Sequence, residues 1–217
     1  MSREDEIRGG PRRPSLRWPR HFVYHQRPAD ATNYINYMKP LMLAEELQID
    51  HVISLIDTKS DWYRRIHPER YVPAIKDWCP VTKTEISVFE STACLQYLSE
   101  RYDENGSWTG RNAAEKAAVL SWTAYQTAGL GLHENCVKQW DILERRLDIP
   151  DQDYIALPDR PTLADISYFP FSMPWMFKFL NVDLEKYPNI KSWGDRMISR
   201  PAVKAVLERV PTYGHDL

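Results

Sequence analysis

The chain opens without a hydrophobic period. Residues 1–19 are rich in Arg, Pro and Gly, the composition of a flexible tail. HFVYHQ at 21–26 is a short β-type run, followed by the polar loop RPADATNYI. From about Asn33 the pattern turns helical: Tyr37, Leu41, Ala44 and Leu47 recur at helical spacing, and Met38 and Met42 complete the adjoining row. HVISLID at 51–57 alternates as a strand, and SDWYRRIH reads as a short helix capped by Ser60 or Asp61. PAIKDW and EISVF read as two strands joined through CPVTKT, and residues 90–102 as a helix. The order is β-α-β-α-β-β-α. A strand–helix–strand unit requires a parallel, right-handed crossover, and the short final connection makes the closing pair antiparallel.

Beyond that point only helical patterns occur. NAAEKAAVLSWTAYQTAGL is Ala-rich, and HENCVKQWDILERRLD pairs acids with bases along an amphipathic face. RPTLADISYFPFSMPWMFKFL opens with Thr162 and Asp165 in a capping relation, and its dense apolar run through Met173, Trp175, Met176, Phe177 and Phe179 fits a buried helix. PNIKSWGDRMIS and PAVKAVLERV each begin with Pro at a first helical turn. The predicted architecture is therefore α+β: a tail at 1–19, a small mixed sheet with helices over 20–104, and an all-helical domain over 108–217.

Composition removes several functional classes. Lys+Arg 28 against Asp+Glu 30 leaves a net charge of −2, which supports neither a nucleic-acid nor a membrane-surface partner. No apolar run approaches a membrane span, and the N-terminal stretch lacks the apolar core of a secretory signal. Cys79, Cys94 and Cys136 lie far apart with no CxxC spacing, which favours a reducing compartment over a disulfide framework. The six histidines show no ligand spacing, so no metal is assigned.

Two features stand together in RYVPAIKDWCPVTKTEISVFESTACLQYLSERYD, residues 70–103: Pro73 entering a strand, and an acid and a hydroxyl, Glu90 and Ser91, at a helix start. Each has a plain reading, a trans proline at an edge strand and ordinary capping. The ordered set VPAI, FESTACLQYLSERYD and RPTLADISYFPF, on this two-domain pattern, resembles the cytosolic glutathione transferases. The resemblance runs from about Phe22 to the C-terminus. NYMKPLMLAEEL adds an N-x-x-K helix start like that of fungal members, closest to the transferases of secondary-metabolite clusters of the gliotoxin- and pseurotin-pathway type.

The resemblance implies a thioredoxin-like first domain, glutathione as cosubstrate, a homodimer and a cytoplasmic location. It implies a cis bond at Pro73, with Val72 offering its N–H and C=O to the cysteinyl part of glutathione. Glu90 would pair with the γ-glutamyl amino group, and Ser91 with the helix amides would take the α-carboxylate. The family's thiolate-stabilising residue stands between the first strand and first helix, where this chain has no Ser or Cys. Asn36 and Asn33 are the expected amide donors, with Tyr34, Thr32 and Tyr24 as further candidates; helix capping is the competing role for either Asn. Lys39 reaches the glycyl end or is a solvated helix lysine. Arg70 replaces a basic glycyl contact, although Glu69 beside it would oppose that carboxylate. Trp122, Tyr125 and Gln126 would line the second substrate, unless their helical spacing marks core.

Two function classes follow. One is an enzyme that uses glutathione on a hydrophobic electrophilic secondary metabolite, by conjugation or by reversible addition that isomerises a double bond. The other is a glutathione-binding or regulatory module that has lost the chemistry.

Overall fold

The computed structural model describes residues 6–9, 20–24, 35–129 and 133–209. The expected crossover is made by β2 (Arg20–Tyr24), α1 (Ile35–Glu46) and β3 (His51–Leu55), and β2 and β3 run parallel with Phe22 opposite Ile53. β4 (Ala74–Cys79) and β5 (Thr84–Phe89) form the antiparallel closing pair, with Ala74 opposite Phe89. β4 also pairs antiparallel with β2, so that Phe22 stands between Ile53 and Ile75. Ile53 and Ile75 and the α1 face of Ile35, Met38, Leu41 and Met42 build the core of the sheet unit.

Two local differences from the sequence reading have clear causes. β1 (Glu6–Gly9) lies inside the stretch expected to be a tail and pairs antiparallel with β3, giving the order β1-β3-β2-β4-β5. Its four residues carry no alternation of their own; an edge strand is held by backbone bonding to its neighbour. The expected helix at SDWYRRIH contracts to one 3-10 turn at Tyr63–Arg65, entered through Trp62 rather than capped by Ser60 or Asp61. Tyr63 is fully buried there among Ile56, Ile66 and Ala74, and Trp62 and Val72 pack against that cluster.

α2 (Ser91–Tyr102) follows the sheet, and α3 (Ala113–Gly129), α4 (His133–Leu147), α5 (Leu163–Tyr168), α6 (Pro174–Phe179), α7 (Pro188–Ser199) and α8 (Pro201–Arg209) complete the chain. The chain divides into two compact units, one of residues up to Leu98 and from Ala205 on, the other Ser99–Lys204. The last turn of α8 thus belongs to the first unit, where Arg209 pairs with Glu45 of α1. Within the second unit Trp140 stacks on Phe177 at 3.8 Å, and Trp193 is fully buried. The long apolar run expected as one helix is broken into α5, a 3-10 turn at Phe169–Ser172 and α6. Pro170 and Pro174 cause the breaks: each stands in the first turn of its own element, where its missing N–H costs nothing. No helix among the described residues is long and apolar enough to cross a membrane.

Candidate functional site

The site is built where the cis-proline segment, the head of α1 and the head of α2 occur in one unit. The Val72–Pro73 peptide bond is cis. Val72 precedes the ladder, since β4 begins at Ala74. The segment is anchored from behind: the Tyr63 hydroxyl donates to the carbonyl of Tyr71 at 2.7 Å.

At the head of α2 the carbonyl of Glu90 accepts the first helical hydrogen bond, from Cys94 N–H at 2.9 Å. Glu90 itself has φ 73°, a left-handed conformation that an unbranched charged residue adopts only at a cost. Such strain collects at functional positions, and here it falls on a residue with an exposed carboxylate directly before a helix whose opening amides favour anions. Behind that carboxylate stands His67, almost wholly buried, with its ring tilted against Phe89 at 4.9 Å and edge-on to Tyr71 at 5.6 Å. His67 Nδ1 accepts from Glu69 N–H at 3.2 Å. With Nδ1 accepting, Nε2 is the donor end of the ring, and it lies 3.5 Å from Glu90 Oε1.

The head of α1 meets the head of α2 through one side-chain bond. Ser91 Oγ donates to Asn36 Oδ1 at 3.5 Å. With Oδ1 accepting, Asn36 has its Nδ2 group as a donor end. One turn further, Pro40 stands inside α1 and supplies no N–H to the carbonyl of Asn36, so the first turn of the helix is the less closely bonded one.

Lys39 differs from the solvated helix lysine that its sequence position allows. It is 2% exposed and ranks among the largest fully buried side chains of the chain. Burial pulls its ammonium down to about 7, against an opposing pull upward from the Glu90 carboxylate. Nearby, burial drives the Tyr63 phenol and the Cys94 thiol far above their ordinary ranges.

The structure thus brings Asn36, Ser91, Glu90 and Lys39 together at two helix heads beside the cis-proline segment. Arg70 is turned elsewhere. Its Nη1 donates to the Lys59 carbonyl at 2.7 Å and its Nη2 lies 3.7 Å from Asp61 Oδ1. Asn33, Tyr34 and Thr32 lie outside the described residues, as does the Tyr24 side chain. In the helical unit Gln126 is buried together with Val119 and Thr123 on the inward face of α3, at helical spacing. Trp122 packs edge-on to Tyr168 at 6.4 Å with the Arg146 guanidinium over its ring at 5.7 Å. Tyr125 is the one of the three expected substrate contacts that is exposed. His67 was missed by sequence reasoning. Its signal was its place five residues before Val72, in HPERYVP.

Two family models match the chain, one in each half. The model of the glutathione S-transferase N-terminal domain matches residues 36–101, and that of the C-terminal domain residues 132–201. The chain is 58% identical to glutathione S-transferase aclG of Aspergillus oryzae over 86% of its own length and 94% of that protein's. It is 66% identical to the trimodular acetylaranotin synthesis protein ataIMG of Aspergillus terreus, over 87% of this chain but 21% of that longer protein. A crystal structure of a glutathione transferase homolog from Lodderomyces elongisporus, with two GSH per subunit, superposes with a TM-score of 0.75 at 22% identity, covering 89% of this chain and 99% of that one.

Proposed function

The chain belongs to the glutathione S-transferase family, and from that premise we propose that it binds glutathione in its first unit and joins the thiolate to a hydrophobic electrophile of secondary metabolism. The observation that carries this reading is the convergence of the cis Val72–Pro73 bond, the left-handed Glu90 and the Ser91–Asn36 bond in one unit. Val72 offers its backbone N–H and C=O to the cysteinyl part, in the manner of an added strand. Glu90, backed by His67, pairs with the γ-glutamyl ammonium. Ser91 and the opening amides of α2 take the α-carboxylate. Asn36 gives its amide N–H to the sulfur, and an amide donor stabilises a thiolate without taking its proton. Asn33 and Tyr34 are further donors on the same reading, and the protein works as a homodimer, which light scattering at twice the mass of one chain checks.

Between the two reactions open to a thiolate site, conjugation is favoured by the relatives, which bear the names of a glutathione S-transferase and of a biosynthetic protein. The test is mass spectrometry of candidate pathway intermediates incubated with the protein, with and without glutathione. A product heavier by one glutathione supports conjugation. A product of unchanged mass that forms only with glutathione replaces it with isomerisation. Glutathione bound without turnover of any intermediate leaves the binding-module reading.

A first prediction isolates Asn36. Asn36→Ala should lower turnover about tenfold to a hundredfold, the worth of one hydrogen bond to a charged group. Glutathione affinity should hold, because Val72, Glu90 and Ser91 grip the ligand elsewhere. A rise in KM alone, with kcat intact, would place Asn36 in binding and not in the reacting state.

A further inference from the structure

We propose that His67 is a positioning residue for glutathione recognition: it holds the Glu90 carboxylate in the orientation that selects the γ-glutamyl ammonium. The inference rests on the glutathione reading above and names the group that makes its carboxylate selective.

Three observations carry it. First, His67 is buried and its backbone is fixed on both sides. Its N–H donates to the Tyr63 carbonyl at 2.9 Å, and its own carbonyl accepts from Arg70 N–H at 3.0 Å. Second, the ring packs on Phe89 at 4.9 Å and on Tyr71 at 5.6 Å. These are the residues directly before Glu90 and Val72, so one side chain braces the stretches that carry both expected glutathione contacts. Third, both ring nitrogens have a use. Nδ1 accepts from Glu69 N–H at 3.2 Å, and the donor end, Nε2, lies 3.5 Å from Glu90 Oε1. A phenylalanine would pack against the same two aromatic rings. Burying a polar ring in that place is costly unless its nitrogens are partnered, and the second partner here is the carboxylate of Glu90.

The Glu90 side chain is 62% exposed. Left to itself such a carboxylate samples several rotamers, and a ligand that binds it must fix one of them. A buried donor beside Oε1 favours one rotamer in advance and leaves Oε2 free to accept from an ammonium. The left-handed backbone at φ 73° supplies the other half, since it sets the direction in which the side chain leaves the chain. The opening amides of α2 stand ready for an anion. A carboxylate held beside them fits a ligand end that carries an ammonium next to a carboxylate, which is the free end of a γ-glutamyl group. The same thiol without that amine loses the advantage. No proton moves in this role, and His67 acts through Glu90.

The experiment is calorimetry with two ligands, glutathione and the deaminated analogue in which hydrogen replaces its α-amino group. The proteins are the intact chain, His67→Asn, His67→Gln, Glu90→Ala and the His67→Asn/Glu90→Ala double variant. Asparagine keeps an acceptor for Glu69 N–H and falls short of Glu90, whereas glutamine carries an amide donor to the distance of Nε2. His67→Asn should weaken glutathione about threefold to tenfold, the effect of one more side chain to immobilise on binding. It should leave the analogue within about twofold of the intact protein. His67→Gln should recover most of the loss, and His67→Asn should cost nothing further once Glu90 is alanine. Nitrogen NMR of the histidine side chains in the intact chain needs no substitution and decides the matter even where a variant does not fold: His67 Nε2 should shift with glutathione and move less with the analogue. Both ligands weakened alike by His67→Asn, a loss that persists in the Glu90→Ala background, or an Nε2 signal that glutathione leaves in place overturns the proposal. An intact protein that binds both ligands equally well removes Glu90 as the ammonium's partner and His67 with it, while glutathione binding stands. One that binds neither overturns the glutathione reading itself.

Discussion

Replacing Asp165 with alanine should cost the helical unit about 2–6 kcal/mol, the sum over at least two buried neutral donors left without an acceptor. The side chain is completely buried and both oxygens are in use. Oδ1 accepts from Ile155 N–H and from Trp193 Nε1, each at 2.9 Å. Oδ2 accepts from Thr162 N–H at 2.8 Å and from the Thr162 hydroxyl at 3.0 Å. One carboxylate thus ties the 155 loop, the head of α5 and the core of α7. Burial pushes its carboxyl above the ordinary range, and the donors oppose that shift. Alanine leaves the Ile155 amide and the Trp193 indole buried without acceptors, at about 1–3 kcal/mol each. It also removes the cap from a helix of only six residues, which has no length with which to hold itself. Asp165→Asn should recover little, because one of its two ends must point a donor at a donor. Urea unfolding followed by tryptophan fluorescence gives the value. A loss below about 1 kcal/mol, or recovery by asparagine, would show that the network can rearrange around the missing oxygen.

That residue was legible in the sequence, and the reason is local. Thr162 and Asp165 form a capping pair within four residues, and both ends of the interaction are visible in one short string. The sheet order was legible for a related reason. Alternation at HVISLID and EISVF, with helical periods between, leaves few topologies once the crossover rule applies. β1 was not legible, because Glu6–Gly9 pairs through its backbone and needs no pattern of its own. Nor were the breaks at Pro170 and Pro174, where an apolar run masks a change of direction. At the site, Val72–Pro73 and Glu90–Ser91 stand at a fixed separation along the chain and could be read together. Lys39 and His67 could not. A lysine on a helix is solvated by default, and only the tertiary neighbours around α1 bury it. His67 meets the Glu90 carboxylate 23 residues away, a distance at which sequence spacing carries no information about contact. Arg70 shows the converse. Its position suggested a ligand, and its left-handed backbone with φ 61° turns it to Lys59 and Asp61.

Glu90 offers a test in which one substitution moves two observables in opposite directions. Glu90→Ala should weaken glutathione by about 1–3 kcal/mol, the loss of a charge-assisted hydrogen bond to the γ-glutamyl ammonium. The carboxylate is 62% exposed, so solvent screens it, the loss belongs at the lower end of that range, and it should shrink further with added salt. Glu90→Gln should fall between, since its amide oxygen can still accept from His67 Nε2 and from the ligand. Glu90→Gly then separates backbone from side chain. The residue sits at φ 73°, where glycine is at ease and any side chain is strained. Relief of that strain, offset by the entropy glycine loses on folding, should leave the first unit as stable as before or more stable by up to about 1 kcal/mol. Affinity should nevertheless drop as far as it does in the alanine variant. Calorimetry with glutathione and a thermal melt on the same preparation read both. If glycine weakens folding and binding together, the left-handed turn is an ordinary structural requirement of the α2 head. If glycine binds glutathione as tightly as glutamate does, the carboxylate is not the ammonium's partner. Binding lost without stability lost is the result expected of a residue kept in a strained conformation for the sake of its ligand.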